Sequence, residues 1–172
     1  YLDHILRESG SKVILLNDNL DPLFGGHPPE PAKENIKKML REVKRHKADL
    51  GLGLDGDADR FGIVDENGRF YTPDEVISLL FKHLIETRMR LPKVARTHST
   101  TTLIDRIAEK YGIEVVETPI GFKYIGEVLM TGECIIGGEE SGGLSIANHV
   151  PEKDGILACL LVAEMVAEKG QK

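Results

Sequence analysis

The stretch Leu50-Gly51-Leu52-Gly53-Leu54-Asp55-Gly56-Asp57-Ala58-Asp59-Arg60-Phe61-Gly62-Ile63-Val64 sets an apolar run, an acidic loop and a second apolar run end to end. The two apolar runs read as strands, 50–54 and 61–64, bounded by a polar loop. Three carboxylates at alternate positions repel one another unless something positive sits among them. Hard divalent cations need oxygen ligands of this kind. Gly56 and Ala58 leave room for the loop to curl around an ion. Arg60 follows at once, and its guanidinium can grip a phosphate with two parallel hydrogen bonds. One alternative is a non-catalytic, EF-hand-like calcium module. Asp55, Asp57 and Asp59 would fill loop positions 1, 3 and 5, and Glu66 position 12. That reading needs a glycine where Arg60 stands and helices where the two strands are expected.

Beyond this stretch the chain alternates helical patterns with short apolar runs. Residues 1–9 read as helix and residues 13–16 as a strand. Residues 31–46 read as helix, with Ile36, Met39, Leu40 and Val43 on one face. Thr72-Pro73-Asp74-Glu75 is a helix start: Thr72 can cap, Pro73 fits the first helical position and Glu75 completes a capping box. Strands are expected at 93–96, 113–116 and 133–136. Helices are expected between them, and a last helix from Asp154 to a stop at Gly170. This alternation predicts an α/β fold of two successive units with mostly parallel sheets. The turn signal Asn67-Gly68 and the capping box place the boundary so that the units are 1–70 and 71–172.

In an open α/β sheet, ligands collect beyond the carboxyl ends of the strands. Three polar loops lie there: 55–60, 118–123 and 137–143. Glu139 and Ser141, in Gly137-Gly138-Glu139-Glu140-Ser141-Gly142-Gly143, can hydrogen-bond adjacent sugar hydroxyls. Lys123 stands at a helix start, where it can meet a phosphate or sugar oxygen. Lys153, in Glu152-Lys153-Asp154-Gly155, divides evenly between a site role and a helix cap. His98 reads as a capping or packing residue, and His149 stays unassigned.

The bulk properties exclude several classes. The 172 residues suffice for one ordinary domain or two small ones, and 41% hydrophobic with 29% charged content is a globular balance. A net charge of −6 gives no general attraction for nucleic acid. No apolar run approaches the ~18–20 residues a membrane span requires. Cys134 and Cys159 sit in apolar surroundings, as expected of reduced core residues in a cytoplasmic protein. The chain opens without Met on a helix-like stretch and no signal-peptide pattern, so a piece of a longer protein is expected.

Asp55-Gly56-Asp57-Ala58-Asp59-Arg60 resembles the metal loop of the α-D-phosphohexomutases, the family of phosphoglucomutase, phosphomannomutase and phosphoglucosamine mutase. Gly137–Gly143 is similar to that family's sugar-binding loop, and Thr118-Pro119-Ile120-Gly121-Phe122-Lys123 to a stretch of phosphoglucomutases. The resemblance implies the later part of the family's second domain and most of its third. It implies an intramolecular phosphotransferase that interconverts hexose 1-phosphate and hexose 6-phosphate through a phosphoserine and a bisphosphate. Mg²⁺ would be held by Asp55, Asp57 and Asp59, with Arg60 as catalytic residue and Lys123, Glu139 and Ser141 binding a phosphosugar. Glu139-Glu140-Ser141 resembles the phosphoglucomutase form of the loop, which favours glucose. The family's phosphoserine context and distal phosphate loop do not occur in the sequence. The chain alone is therefore expected to be inactive, and a truncated second-domain portion to leave a sheet edge open to self-association.

Overall fold

The computed structural model describes residues 1–170. Helices α1 (Leu2–Glu8) and α2 (Lys37–His46) precede a sheet of β1 (Leu50–Leu54), β2 (Phe61–Asp65) and β3 (Phe70–Tyr71). The remainder runs α3 (Pro73–Thr87), β4 (Lys93–Thr97), α4 (Leu103–Tyr111), β5 (Glu114–Thr118), α5 (Phe122–Leu129), β6 (Cys134–Gly138), β7 (Leu144–Ile146) and α6 (Gly155–Lys169).

The chain is α/β, and its two sheets differ. The first is antiparallel throughout, with Leu50 opposite Asp65 and Leu54 opposite Phe61. The alternation of helices and strands predicts mostly parallel pairing, and here it misleads. The six residues between β1 and β2 are too few for a crossover, which takes a dozen or more, so the two strands close as a hairpin. The second sheet has the order β5-β4-β6-β7. β4 pairs in parallel with β5 and β6, while β7 returns antiparallel on β6. From β4 the chain steps outward to β5, then crosses to β6 on the other side. In open α/β sheets such a reversal marks the carboxyl ends of the strands, here near residues 97 and 138, as the place where ligands collect.

Two sequence expectations are corrected. Residues 13–16 form no strand, and Ile14 and Leu15 are 44% and 43% exposed. The helix expected from residue 31 begins at Lys37. Upstream, the Asn35 side chain donates to the Glu30 carbonyl (3.0 Å), drawing the backbone into turns instead. The capping box at Thr72 forms in full: Glu75 N–H donates to Thr72 Oγ1 (3.3 Å) and Thr72 N–H to Glu75 Oε2 (2.9 Å).

One core joins the two sheets. Phe61 and Ile63 of β2 pack with Val76, Leu80 and Phe81 of α3, and with Ala158, Cys159 and Leu161 of α6. α6 is apolar nearly all round because it packs on β1, β2, β7 and α3 together. The opposite face of β4 and β6 is covered by α5 through Phe122, Ile125 and Leu129. Both cysteines are buried and free, and burial pushes each thiol up to about 12.

β4 is also tied electrostatically. Buried Arg96 forks onto Asp105 of α4 (2.8 and 2.7 Å) and reaches Glu117 of β5 (2.9 Å). Hydrogen bonding to Arg96 holds the Asp105 carboxyl below its ordinary value. A carboxylate whose folded-state pKa is depressed contributes stability above its unfolded pKa and loses it as pH falls through the folded one. Asp105→Asn should therefore cost about 1 kcal/mol at neutral pH, discounted for its partial exposure. The variant should also lose part of the acid-side slope of stability below pH ~4. Urea melts across that range check this; identical slopes in the two proteins would refute it.

Candidate functional site

The loop between β1 and β2 curls because Ala58 adopts a left-handed conformation (φ 63°). Asp55, Asp57 and Asp59 each present a carboxylate oxygen, and these lie within 4.8 Å of one another. Asp55 is buried. Its Oδ2 accepts from Arg60 Nε (2.7 Å) and its Oδ1 from the Arg60 backbone N–H (3.1 Å). Burial alone would raise the Asp55 carboxyl; the Arg60 backbone N–H and guanidinium outweigh it and hold the group below its ordinary value. Arg60 is raised in turn, chiefly by its bond to Asp55. Asp57 is exposed. An all-oxygen donor set of this size fits a hard divalent cation. It is not an EF-hand: β1 and β2 flank the loop, and Glu66 lies beyond the end of β2.

The loop from β6 to β7 stands against this one. Glu139 is buried, with Oε1 accepting from the Gly121 N–H (3.0 Å) and Oε2 from Ser141 Oγ (3.1 Å). The first bond ties it to the 118–123 loop. Glu140 turns the other way, accepting from Thr97 Oγ1 (2.7 Å). Gly142 has φ 98°, and a Cβ added there would lie 3.6 Å from Arg60 Cβ, so the two loops abut. Next to it, a Cβ on Gly143 would fall 2.5 Å from Lys153 Cδ.

Lys153 joins the two loops. Its ammonium forms an ion pair with Asp59, and that bond chiefly raises its pKa. The following residues fix the start of α6. Asp154 Oδ1 accepts from the Leu157 N–H (2.8 Å), and its Oδ2 meets His149 Nε2 at 2.8 Å. The Gly155 N–H donates to the Ala58 carbonyl (2.9 Å), so the helix terminus rests on the aspartate loop. Of the two roles open to Lys153 in the sequence, the cap belongs to Asp154 and the site contact to Lys153. A charged residue directly before a capping Asp was the available signal; its partner 94 residues upstream was not readable.

The other candidates are less engaged. Lys123 lies in the first turn of α5, exposed, with its ammonium 4.6 Å from the Tyr124 ring centroid, and it makes no ion pair among the described residues. His98, read as capping or packing, is exposed; among the described residues its one hydrogen bond is from its backbone N–H to the Thr118 carbonyl (3.1 Å). Its place just beyond the end of β4 leaves the ring outside the core.

Relatives of known structure and sequence share this arrangement of domains. Residues 1–68 match the phosphoglucomutase/phosphomannomutase alpha/beta/alpha domain II, and residues 72–172 match domain III. The phosphoglucomutase/phosphomannomutase of Thermococcus kodakarensis is 35% identical over 171 residues, spanning 99% of this chain and 37% of that protein. The phosphoglucosamine mutase of Rhodopseudomonas palustris is 36% identical over 172 residues, covering 96% of this chain and again 37% of that protein. The crystal structure of a putative phosphomannomutase from Thermus thermophilus superposes with a TM-score of 0.91 at 36% identity, covering 99% of this chain and 40% of that one. The chain thus spans little more than a third of these relatives. The matches run through the aspartate loop and the glutamate–serine loop alike, and the chain belongs to the phosphoglucomutase/phosphomannomutase family.

Proposed function

We propose that this chain forms the metal-binding and sugar-binding portion of a phosphohexomutase, an intramolecular phosphotransferase that interconverts hexose 1-phosphate and hexose 6-phosphate. The observation that supports it best is the meeting of the aspartate loop and the Glu139–Ser141 loop at Lys153. The division into 1–70 and 71–172 is part of the same reading, the first unit carrying the metal ligands and the second the sugar contacts. Mg²⁺ held by Asp55, Asp57 and Asp59 would supply charge stabilisation to a transferring phosphoryl group.

The chain's own residues do the rest by positioning. Arg60 locks Asp55 through Nε, while its Nη1 is held only loosely, 3.4 Å from exposed Glu30. That leaves the outer edge of the guanidinium to take a phosphate oxygen beside the metal. Glu139 is fixed by the Gly121 N–H and the Ser141 hydroxyl, and its remaining lone pairs can accept from sugar hydroxyls. Lys123 has a long stem and no competing carboxylate among its described contacts, so it can swing to a phosphosugar oxygen. The partner is a phosphosugar, with no nucleic acid or membrane. Among the described residues no helix is long and apolar enough to cross a membrane, and the buried free thiols suit the cytoplasm. The Glu139-Glu140-Ser141 sequence makes glucose phosphate the first substrate to test.

The same reading holds that the 172 residues alone do not turn over. Phosphoryl transfer is mostly positioning and electrostatics, and no phosphoserine context is present in the sequence. Exposed apolar residues Ile14, Leu15, Leu20, Leu23 and Phe24 make self-association of the isolated chain part of the proposal.

The test is a coupled assay of glucose 6-phosphate formation from glucose 1-phosphate in the full-length parent protein, with Glu139→Gln beside it. Losing one charge-assisted hydrogen bond is worth about 1.5–3 kcal/mol. Catalytic efficiency should fall roughly ten- to a hundredfold, with Mg²⁺ affinity unchanged. Full activity in the variant would show that this loop only turns the chain.

A further inference from the structure

A second convergence of donor groups lies away from the aspartate loop, between α3 and α6. It joins His83 to Glu164 and Glu168, whose ligand atoms lie within 4.8 Å of one another. The His83 side chain is 1% exposed, and neither ring nitrogen has a hydrogen-bond partner among the described residues. Buried polar groups are nearly always satisfied, and this one is not. The imidazole faces the two carboxylates: Nε2 lies 3.8 Å from Glu168 Oε2. That is too long for a hydrogen bond. It is close to the ~3.4 Å that separates two ligands bound ~2.1 Å from one tetrahedral centre.

The neighbours complete the geometry. Glu164 and Glu168 are four residues apart on α6 and so share a face. Arg88 forks onto Glu164, Nη1 to Oε1 at 2.6 Å and Nη2 to Oε2 at 2.9 Å, which fixes that carboxylate. A carboxylate offers about four acceptor positions and Arg88 occupies two, so room remains for a cation. With Arg88 counted, the two carboxylates leave one net negative charge. A buried imidazole with two carboxylates is a mixed nitrogen–oxygen donor set, which suits Zn²⁺ and its neighbours rather than Mg²⁺.

We propose that His83, Glu164 and Glu168 form a transition-metal site that braces α3 against α6. The test is a Zn²⁺ titration of the chain by calorimetry, with the His83 ring followed by nitrogen NMR. Glu168→Gln is the diagnostic variant, because Glu168 is 49% exposed and the change should leave folding intact, whereas replacing buried His83 risks the core. Comparing it with the unaltered chain also cancels any Zn²⁺ taken by the aspartate loop. We expect Zn²⁺ to move the His83 nitrogen signals, and the affinity of this site to fall at least about tenfold in the variant. Equal affinity in both proteins would overturn the site. So would His83 nitrogen signals that do not move on addition of Zn²⁺, which would leave the cluster without a metal.

Discussion

Asp57→Asn should lower Mg²⁺ affinity by on the order of a hundredfold while leaving the metal-free chain as stable as before. Asp57 is the informative choice of the three aspartates. Asp55 is buried and bonded twice to Arg60, and Asp59 is paired with Lys153, so changing either also breaks internal contacts. Asp57 is exposed and has no hydrogen-bond or ion-pair partner among the described residues. In the proposed site its loss would remove one ligand and little else. Surface changes of this kind usually stay within about 0.5 kcal/mol, and relief of repulsion among three carboxylates pushes toward stability. The expected pattern is an unchanged melting temperature without metal, loss of the stabilisation Mg²⁺ confers, and a fall in turnover of the full-length parent of about a hundredfold or more. Unchanged Mg²⁺ affinity by calorimetry would remove Asp57 from the site. A destabilised metal-free variant would show that the side chain supports the loop itself.

What the sequence revealed about this region depended on how local the physics was. The Thr72 capping box is a contact across three residues, and it forms as read. Gly112 and Gly170 end α4 and α6 in the left-handed conformation, another local requirement. The strands on either side of Asp55–Arg60 were legible because short β-branched and leucine-rich runs border a polar, glycine-containing loop. Strand direction was not legible from alternation alone, although the length of the 55–60 loop already demanded a hairpin. β7 escaped notice because it has only three residues, Leu144–Ile146, and owes its existence to pairing with β6. Residues 13–16 show the converse, an apolar run with β propensity that pairs with no strand among the described residues. At the site, the residue types in each loop were readable. Their assembly rests on Lys153–Asp59, Gly121–Glu139 and Gly155–Ala58, contacts between segments far apart in sequence that no periodicity reports.

The last of those contacts carries the other large expected effect, at Gly155. A Cβ there would stand 2.6 Å from the Arg60 carbonyl oxygen and 2.8 Å from that of Ala58. Both obstacles are backbone atoms of the aspartate loop, so no side chain can swing aside to relieve them. Gly155 is buried and does not need a left-handed conformation, so the barrier to a side chain is steric. Helix propensity argues the other way, since alanine is favoured over glycine by up to about 1 kcal/mol inside a helix. Overpacking a fitted contact typically costs about 1–3 kcal/mol, and here the steric term should win. In Gly155→Ala, either α6 tilts away or the loop carrying Ala58, Asp59 and Arg60 is pushed outward. Outward movement of the loop would stretch the Lys153–Asp59 pair and spread the three carboxylates. A displacement approaching ~1 Å at a reacting centre costs on the order of a hundredfold in rate. We therefore expect a lower melting temperature together with weaker Mg²⁺ binding, and in the full-length parent a fall in kcat larger than any change in KM. Gly155→Val should worsen all three. If Gly155→Ala melts at a higher temperature with Mg²⁺ affinity intact, propensity has prevailed, and the start of α6 does not set the position of the aspartate loop.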